Sequence, residues 1–356
     1  LTNTANTPNQ VGPIGGHEAY AAYGNAGRSF NVRLRRSGYT TGYIGKFLNQ
    51  YEYNPGRPIP AAPPGWSDWR VLFGSAYDGW DFHSSYLEGG RVKVRHHPAP
   101  PASASAKTKD AAYAGTVIHR MALDFIRSNQ KRSAPYFLQV APFAPHSRVN
   151  PTGHYPGDPA FPPAFRDRPR PGQPLGNCGA ISCGRLGIKH LPGYGDDLAD
   201  NRPRRADGKV LPSWRPKRTG LTRAGAVASL RNRARMAQSV DRMMHDLLDA
   251  VDDNTIVMLT SDNGFHLGQH GLGVGKSAPY DSDVRVPLYV VGPGVKRGVR
   301  DEMVSNIDLA ATFEDLAGLR PPKYRAGSSI APTFARPARA KHRYTFFEHT
   351  WAPSLG

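Results

Sequence analysis

The chain has 356 residues, 39% hydrophobic and 21% charged. That is enough for one large α/β domain with a packed core, and it argues against a wholly disordered chain. Lys and Arg number 46 against 28 Asp and Glu, a formal net charge of +18, so the surface attracts polyanions; nucleic acid and sulfated polysaccharide are both candidates, beside a basic face that is merely solvated. No apolar run is long enough for a bilayer span and no signal peptide is evident. The first residue is Leu rather than Met, so the expectation is a processed product or a piece of a longer chain.

In chain order, "RSFNVRLRRSGYTTGYIGKFLNQY" reads as helix, turn and strand. Phe30 and Leu34 share a helical face, Gly38 suits a left-handed C′ position, and Lys46 follows the strand. The proline-rich "NPGRPIPAAPPGWSDW" reads as loop. "TVIHRMALDFIRS" is helical, with Val117, Met121 and Phe125 on one stripe. "PYFLQVA" is a short strand, and "PFAPHSR", with His146, leaves its end. From about Arg148 to Arg223 the chain is rich in Pro, Gly and Arg, and reads as a long irregular excursion without its own core.

"VASLRNRARMAQSVDRMMHDLLDAV" is the clearest helix, with Val227, Leu230, Ala234, Ala237, Val240, Met244, Leu247 and Val251 at helical spacing. "NTIVMLT" reads as a buried strand and "VPLYVVG" as another; "NIDLAATFEDLAG" is a helix with Asn306 as N-cap. No internal repeat is visible. Alternating strands and helices predict an α/β sheet with helices on both faces.

Cys178 and Cys183 are the two cysteines, in "NCGAISCGR". The spacing is neither a redox nor a zinc motif, and a local disulfide and two free thiols both fit it. "SDNGFHLGQHGLGVGK" packs Asp262, Asn263, His266, His270 and Lys276 into the run after a strand, where open α/β sheets place their chemistry. Asp262 and Asn263 offer hard oxygens suited to Ca2+ or Mg2+, but a complete calcium site takes about six to eight. A turn is the competing reading. "GVGKS" is not a P-loop, because His270 stands where the first glycine is needed and Pro279 follows. Lys46, His146 and Lys276 each follow a predicted strand or lie in the loop after one; together they would grip a tetrahedral dianion, whereas singly each reads as a surface lysine or a hydrogen-bonded histidine.

These motifs resemble, in the expected order, those of the sulfatases of the alkaline-phosphatase superfamily: "GYTTGYIGKFLNQY", "APFAPHS" and "SDNGFHLGQHGLGVGKSAPYDSDVRVPLYVVGPGV". "GKFLNQY" is similar to the N-acetylglucosamine-6-sulfatases and the extracellular heparan endosulfatases. The resemblance implies an alkaline-phosphatase-like mixed, mostly parallel sheet with helices on both faces, N-terminally incomplete. It implies a catalytic domain over residues 1–320 and the start of a small C-terminal subdomain over 321–356. It implies Lys46, His146 and Lys276 as catalytic sulfate-binding groups, Asp262 and Asn263 as ligands of one Ca2+, and Asn49 and His266 as sugar contacts. The implied substrate is a sulfated carbohydrate, a 6-O-sulfated N-acetylglucosamine of a glycosaminoglycan, in a secreted or periplasmic setting, with no nucleic acid partner. The family's formylglycine signature and its upstream Asp pair are not found in this sequence, so the nucleophile is expected outside it. The alternative is a catalytically inactive truncated protein that binds sulfated polyanions.

Overall fold

The computed structural model describes residues 15–53, 56, 58–148, 155, 178, 181–196, 205–210, 221–276, 278–336 and 344–345. They form two compact units. The first comprises Leu1–Arg166, Arg235–Thr255 and Ile307–Thr333; the second comprises Asp167–Ala234, Ile256–Asn306 and Phe334–Gly356.

In the first unit, helices α1 (Gly16–Ala22), α2 (Asn25–Arg28) and α3 (Phe30–Arg36) lead into strand β1 (Thr40–Lys46). Gly38 takes φ +99° just after α3, the left-handed position expected of it. Strands β2 (Asp68–Leu72), β3 (Phe82–Glu88) and β4 (Arg91–His97) follow, then helices α4 (Ala106–Ala112) and α5 (Ala114–Gln130) and strand β5 (Tyr136–Ala141). The five strands form one mixed sheet in the order β4-β3-β2-β1-β5. β1 is parallel to both β2 and β5, β3 runs against β2, and β4 turns back against β3.

Both faces are covered, as the alternation of elements requires. On one face, α5 lays Val117, Ile118, Ala122, Phe125 and Ile126 against Ile44, Leu72 and Phe82. Full burial of a side chain such as Phe125 or Ile118 is worth about 1.5–3 kcal/mol. On the other face, α3 brings Phe30 to within 5.1 Å of the Phe137 ring of β5. Tyr43, Trp69, Val71 and Phe73 pack there as well, and Trp69 Nε1 donates to Tyr51 Oη at 2.9 Å.

Helix α6 (Arg223–Ala250) contributes to both units, which explains why its buried stripe departs from the periodic one. Ala237 is exposed, and Met243 rather than Met244 enters the main core. Its first turns serve a different core: Ala226 packs with Leu191 and Leu267. The second unit also holds β6 (Val257–Thr260), β7 (His266–Leu267), β8 (Val274–Gly275), α7 (Asp281–Val284) and β9 (Leu288–Val291). β6 pairs with β9 and β7 with β8, both antiparallel. β6 was expected to be buried; it is half-buried instead, because β9 is its one ladder partner among the described residues.

Helices α8 (Asp308–Leu316) and α9 (Pro332–Ala335) complete the order. Asn306 does not cap α8. Ile307 is the N-cap residue, and Asn306 Nδ2 donates to Ser261 O at 2.9 Å instead. The proline-rich run also ends earlier than expected, since Asp68 and Trp69 already belong to β2. Much of the Arg148–Arg223 excursion lies outside the described residues; within them, Cys178 and Cys183 form a disulfide, which settles the open pairing.

The β3–β4 hairpin contains a half-buried histidine whose protonation couples to folding. His97 stacks on Phe82 and its Nε2 lies 2.8 Å from Ser84 Oγ. Burial first, then the positive charges of Arg95 and Arg120 and the neighbouring His96 and His83, push its pKa down to about 4. The unfolded chain protonates this ring near its ordinary 6.5, so protons favour unfolding in between. Stability is therefore expected to fall as pH drops from about 6.5 to about 4, and His97→Gln is expected to flatten that decline. Urea midpoints measured across this pH range check it; an unchanged slope in the variant refutes it.

Candidate active site

Lys46, Asn49 and His146 belong to the first unit; Asp262, Asn263, His266 and Lys276 belong to the second.

Lys46 is the last residue of β1, and His146 follows β5 by a short turn; the two strands are parallel neighbours, with Gly45 opposite Ala141. Carboxyl ends of adjacent parallel strands open onto a crevice, so this topology delivers a lysine and a histidine to one edge. Gly45 makes the approach feasible. It sits at φ +113°, and a Cβ there would lie 2.1 Å from Ala141 O.

Lys46 is 17% exposed; its Nζ donates to Phe47 O at 2.7 Å and lies 3.9 Å from Glu52 Oε1. Glu52 Oε2 accepts from Gly74 N at 2.6 Å, at the start of a 3-10 turn that carries Tyr77. The Tyr77 ring lies 4.6 Å from that of His146, whose Nδ1 is 2.7 Å from Ser147 O. Glu52 and Tyr77 are the residues that sequence reasoning missed here. Neither sits in a motif; the 3-10 turn follows β2, and the pairing of β1 with both β2 and β5 sets it beside Lys46 and His146.

In the second unit, the polar run after β6 is tightly bonded. Asn263 Oδ1 accepts from Lys276 Nζ at 2.9 Å, and Asn263 Nδ2 donates to Gly264 O at 2.7 Å. Ser261 Oγ donates to Asn263 O at 2.8 Å. Gly264 N donates to Asp283 O, and a Cβ on Gly264 would lie 2.1 Å from Ser282 O, so no larger residue fits without moving the backbone. The Nζ–Oδ1 bond joins Asn263 to Lys276, and Asp262, next to Asn263 in the chain, is exposed. His266 is buried on β7, its Nδ1 2.9 Å from both carboxylate oxygens of Asp283. Asp283 also accepts from Ala278 N at 2.7 Å and Ser282 Oγ at 3.1 Å. This aspartate was missed too. Its signal was present in "YDSDVRVP", but a buried carboxylate is recognisable only once its partner is known.

The calcium expectation finds a partial donor set. Asp262 and Asn263 have the right hard oxygens, but Asn263 Oδ1 is taken by Lys276. Among the described residues, no group of three or more His, Cys, Asp or Glu is arranged to hold a metal. The described residues do not by themselves make a calcium site, which takes about six to eight oxygens.

The mixed sheet, its two helical layers and the polar residues at its strand ends make this an α/β protein. A solved protein in complex with its substrate D-glucosamine-2-N,6-O-disulfate shares this fold, with a TM-score of 0.53 at 22% identity over 90% of this chain and 68% of that one. The sulfatase family profile matches residues 18–319, and the chain belongs to that family. It is 31% identical over 318 residues to the extracellular sulfatase SULF-1 homolog of Drosophila melanogaster, covering 88% of this chain and 24% of that protein. It is 27% identical over 292 residues to the N-acetylglucosamine-6-sulfatase of Homo sapiens, covering 79% of this chain and 44% of that protein. The chain thus spans less than half the length of these relatives. No helix among the described residues is long and apolar enough to cross a membrane.

Proposed function

We propose that the protein is a sulfuric ester hydrolase that removes sulfate from a sulfated sugar, with 6-O-sulfated N-acetylglucosamine of a glycosaminoglycan as the substrate class. The observation that carries this reading is the delivery of Lys46 and His146 to the carboxyl ends of two adjacent parallel strands, inside the region matched by the family. The names of the relatives support the sugar: one is an N-acetylglucosamine-6-sulfatase, another an extracellular sulfatase.

In this reading the ester is hydrolysed: sulfur forms a new bond to an oxygen that water ultimately supplies, the S–O bond to the sugar oxygen breaks, and the sugar hydroxyl leaves with a proton from that water. Lys46 holds a sulfate oxygen as a compact positive charge. His146 donates a hydrogen bond to the sulfate. Lys276 offsets the charge that grows on the departing oxygen. Asn49 and His266 contact the sugar. Sulfatases typically work with a metal and a formylglycine; Asp262 and Asn263 would give two oxygens toward a Ca2+ site. No residue of this chain is assigned as the nucleophile. A secreted or periplasmic location goes with the substrate.

The test is release of inorganic sulfate from N-acetylglucosamine 6-sulfate and from a 6-sulfated heparan disaccharide by the complete protein, with and without a chelator. Sulfate release that stops on chelation is the expected result. The net charge of +18 favours a second reading, a non-catalytic binder of sulfated polyanions. No sulfate release, together with heparin binding that survives chelation, would establish the binder instead.

A further inference from the structure

Edge strand β4 carries Arg91, Lys93 and Arg95 at alternate positions, all exposed. Strand alternation puts them on one face about 6.7 Å apart. Val92 and Val94 turn the other way, into the cluster around Trp69. On the cationic face, β3 sets Tyr86 opposite Lys93, and the Arg95 guanidinium lies 5.4 Å from the centre of that ring. Arg120, exposed on α5, adds a cation from a second element. The depressed pKa of His97, caused after burial by Arg95 and Arg120, reports the positive field at this end of the row. Glu88, opposite Arg91, is the facing acid. Even so, Arg91, Lys93 and Arg95 make no ion pair among the described residues.

Charged side chains are one way of keeping an edge strand from pairing with another chain. Three in a row, with an aromatic ring between them and a fourth cation from a helix, exceed that need. The register also ties the row to the candidate active site. Lys46 pairs with Leu72, Leu72 with Ser84, and Ser84 with Arg95. Arg95 therefore stands level with Lys46, three strand spacings or about 14 Å away in the same sheet. That distance exceeds one sugar ring, so the row is placed for a chain and not for the sugar whose ester is cut.

We propose that Tyr86, Arg91, Lys93, Arg95 and Arg120 form a docking rail for a linear sulfated polysaccharide, holding the part of the chain beyond the reacting sugar. The inference rests on the reading of the substrate as a sulfated sugar. Regularly spaced cations release counterions from a polyanion, and the flat Tyr86–Arg95 pair offers a face for a sugar ring.

The test compares the wild-type protein, the triple variant Arg91→Thr/Lys93→Thr/Arg95→Thr and a control, Arg127→Gln/Lys131→Gln/Arg132→Gln. Thr preserves strand preference, and the control removes the same charge from exposed sites at the far end of α5. Binding of a size-defined heparin oligosaccharide is titrated over a salt series, and sulfate release from a 6-sulfated monosaccharide is measured in parallel. The rail variant is expected to bind about tenfold or more weakly near physiological salt. Its slope of log K against log salt should be shallower by about two to three. The control is expected to bind much as the wild type does, and monosaccharide hydrolysis to be unchanged in both. Equal weakening in the two variants overturns the rail in favour of general charge. So does tighter binding of duplex DNA than of heparin through the same three residues. A rail effect on heparin with no sulfate release by any of the three proteins keeps the rail and sinks the hydrolase reading.

Discussion

Replacing Lys276 with Ala is expected to lower sulfate-ester turnover by the complete protein about 10²–10³-fold. The physical reason is the loss of a full positive charge where charge develops in the transition state. Lys276 Nζ sits 2.9 Å from Asn263 Oδ1, so a short polar side chain rather than a carboxylate holds the ammonium. An amide partner orients the charge without neutralising it. The residue is exposed, so its truncation opens no cavity, and the cost in stability should stay within about 0.5 kcal/mol. The two readouts therefore separate: turnover collapses while the urea midpoint holds. Lys276→Arg keeps the charge but spreads it over a planar fork, and is expected to restore part of the activity. Near-wild-type turnover in Lys276→Ala would remove the residue from the mechanism.

The second large effect is on structure. Asp283→Ala is expected to destabilise the protein by about 3–5 kcal/mol, because Asp283 is the buried partner of several donors at once. His266 Nδ1, Ala278 N and Ser282 Oγ all meet its carboxylate. Removing it leaves an imidazole nitrogen and a backbone N–H unpaired in a buried setting, and each such group costs about 1–3 kcal/mol. Asp283→Asn retains one acceptor oxygen and should lose less. Amide hydrogen exchange at Ala278 gives the local readout: protection there should disappear in Asp283→Ala. A variant with the wild-type urea midpoint and a protected Ala278 amide would show that the carboxylate is dispensable.

The elements legible from sequence were those with a strong local code. Helix α5 declares itself through Val117, Met121 and Phe125, and β1 through the β-rich run "YTTGYIG", which the strand extends to Lys46. The adjoining turn at Gly38 needs only a left-handed backbone, which glycine supplies on its own. Elements decided by distant partners were not legible. Met243 rather than Met244 is core because α6 serves two packing surfaces along its length, which a single helical period cannot encode. Asn306 has the side chain of an N-cap, yet Ser261 O, distant in sequence, claims its amide. β6 has the composition of a buried strand, but its burial depends on how many strands flank it.

For the candidate site the division is similar. The sequence by itself determined the family and the chemistry available, because motif order and residue type are local properties: a lysine ending one strand, a histidine after another, and an acid, an amide and a lysine in one glycine-rich run. The tertiary structure alone decided the partners. Glu52 reaches Lys46, Tyr77 packs its ring at a tilt against His146, Asn263 takes Lys276, and Asp283 fixes the buried His266. Hydrogen bonds and ring contacts act over a few ångströms in space, while the residues they join lie up to tens of positions apart along the chain, so only the pairing of strands and the closing of loops could select them.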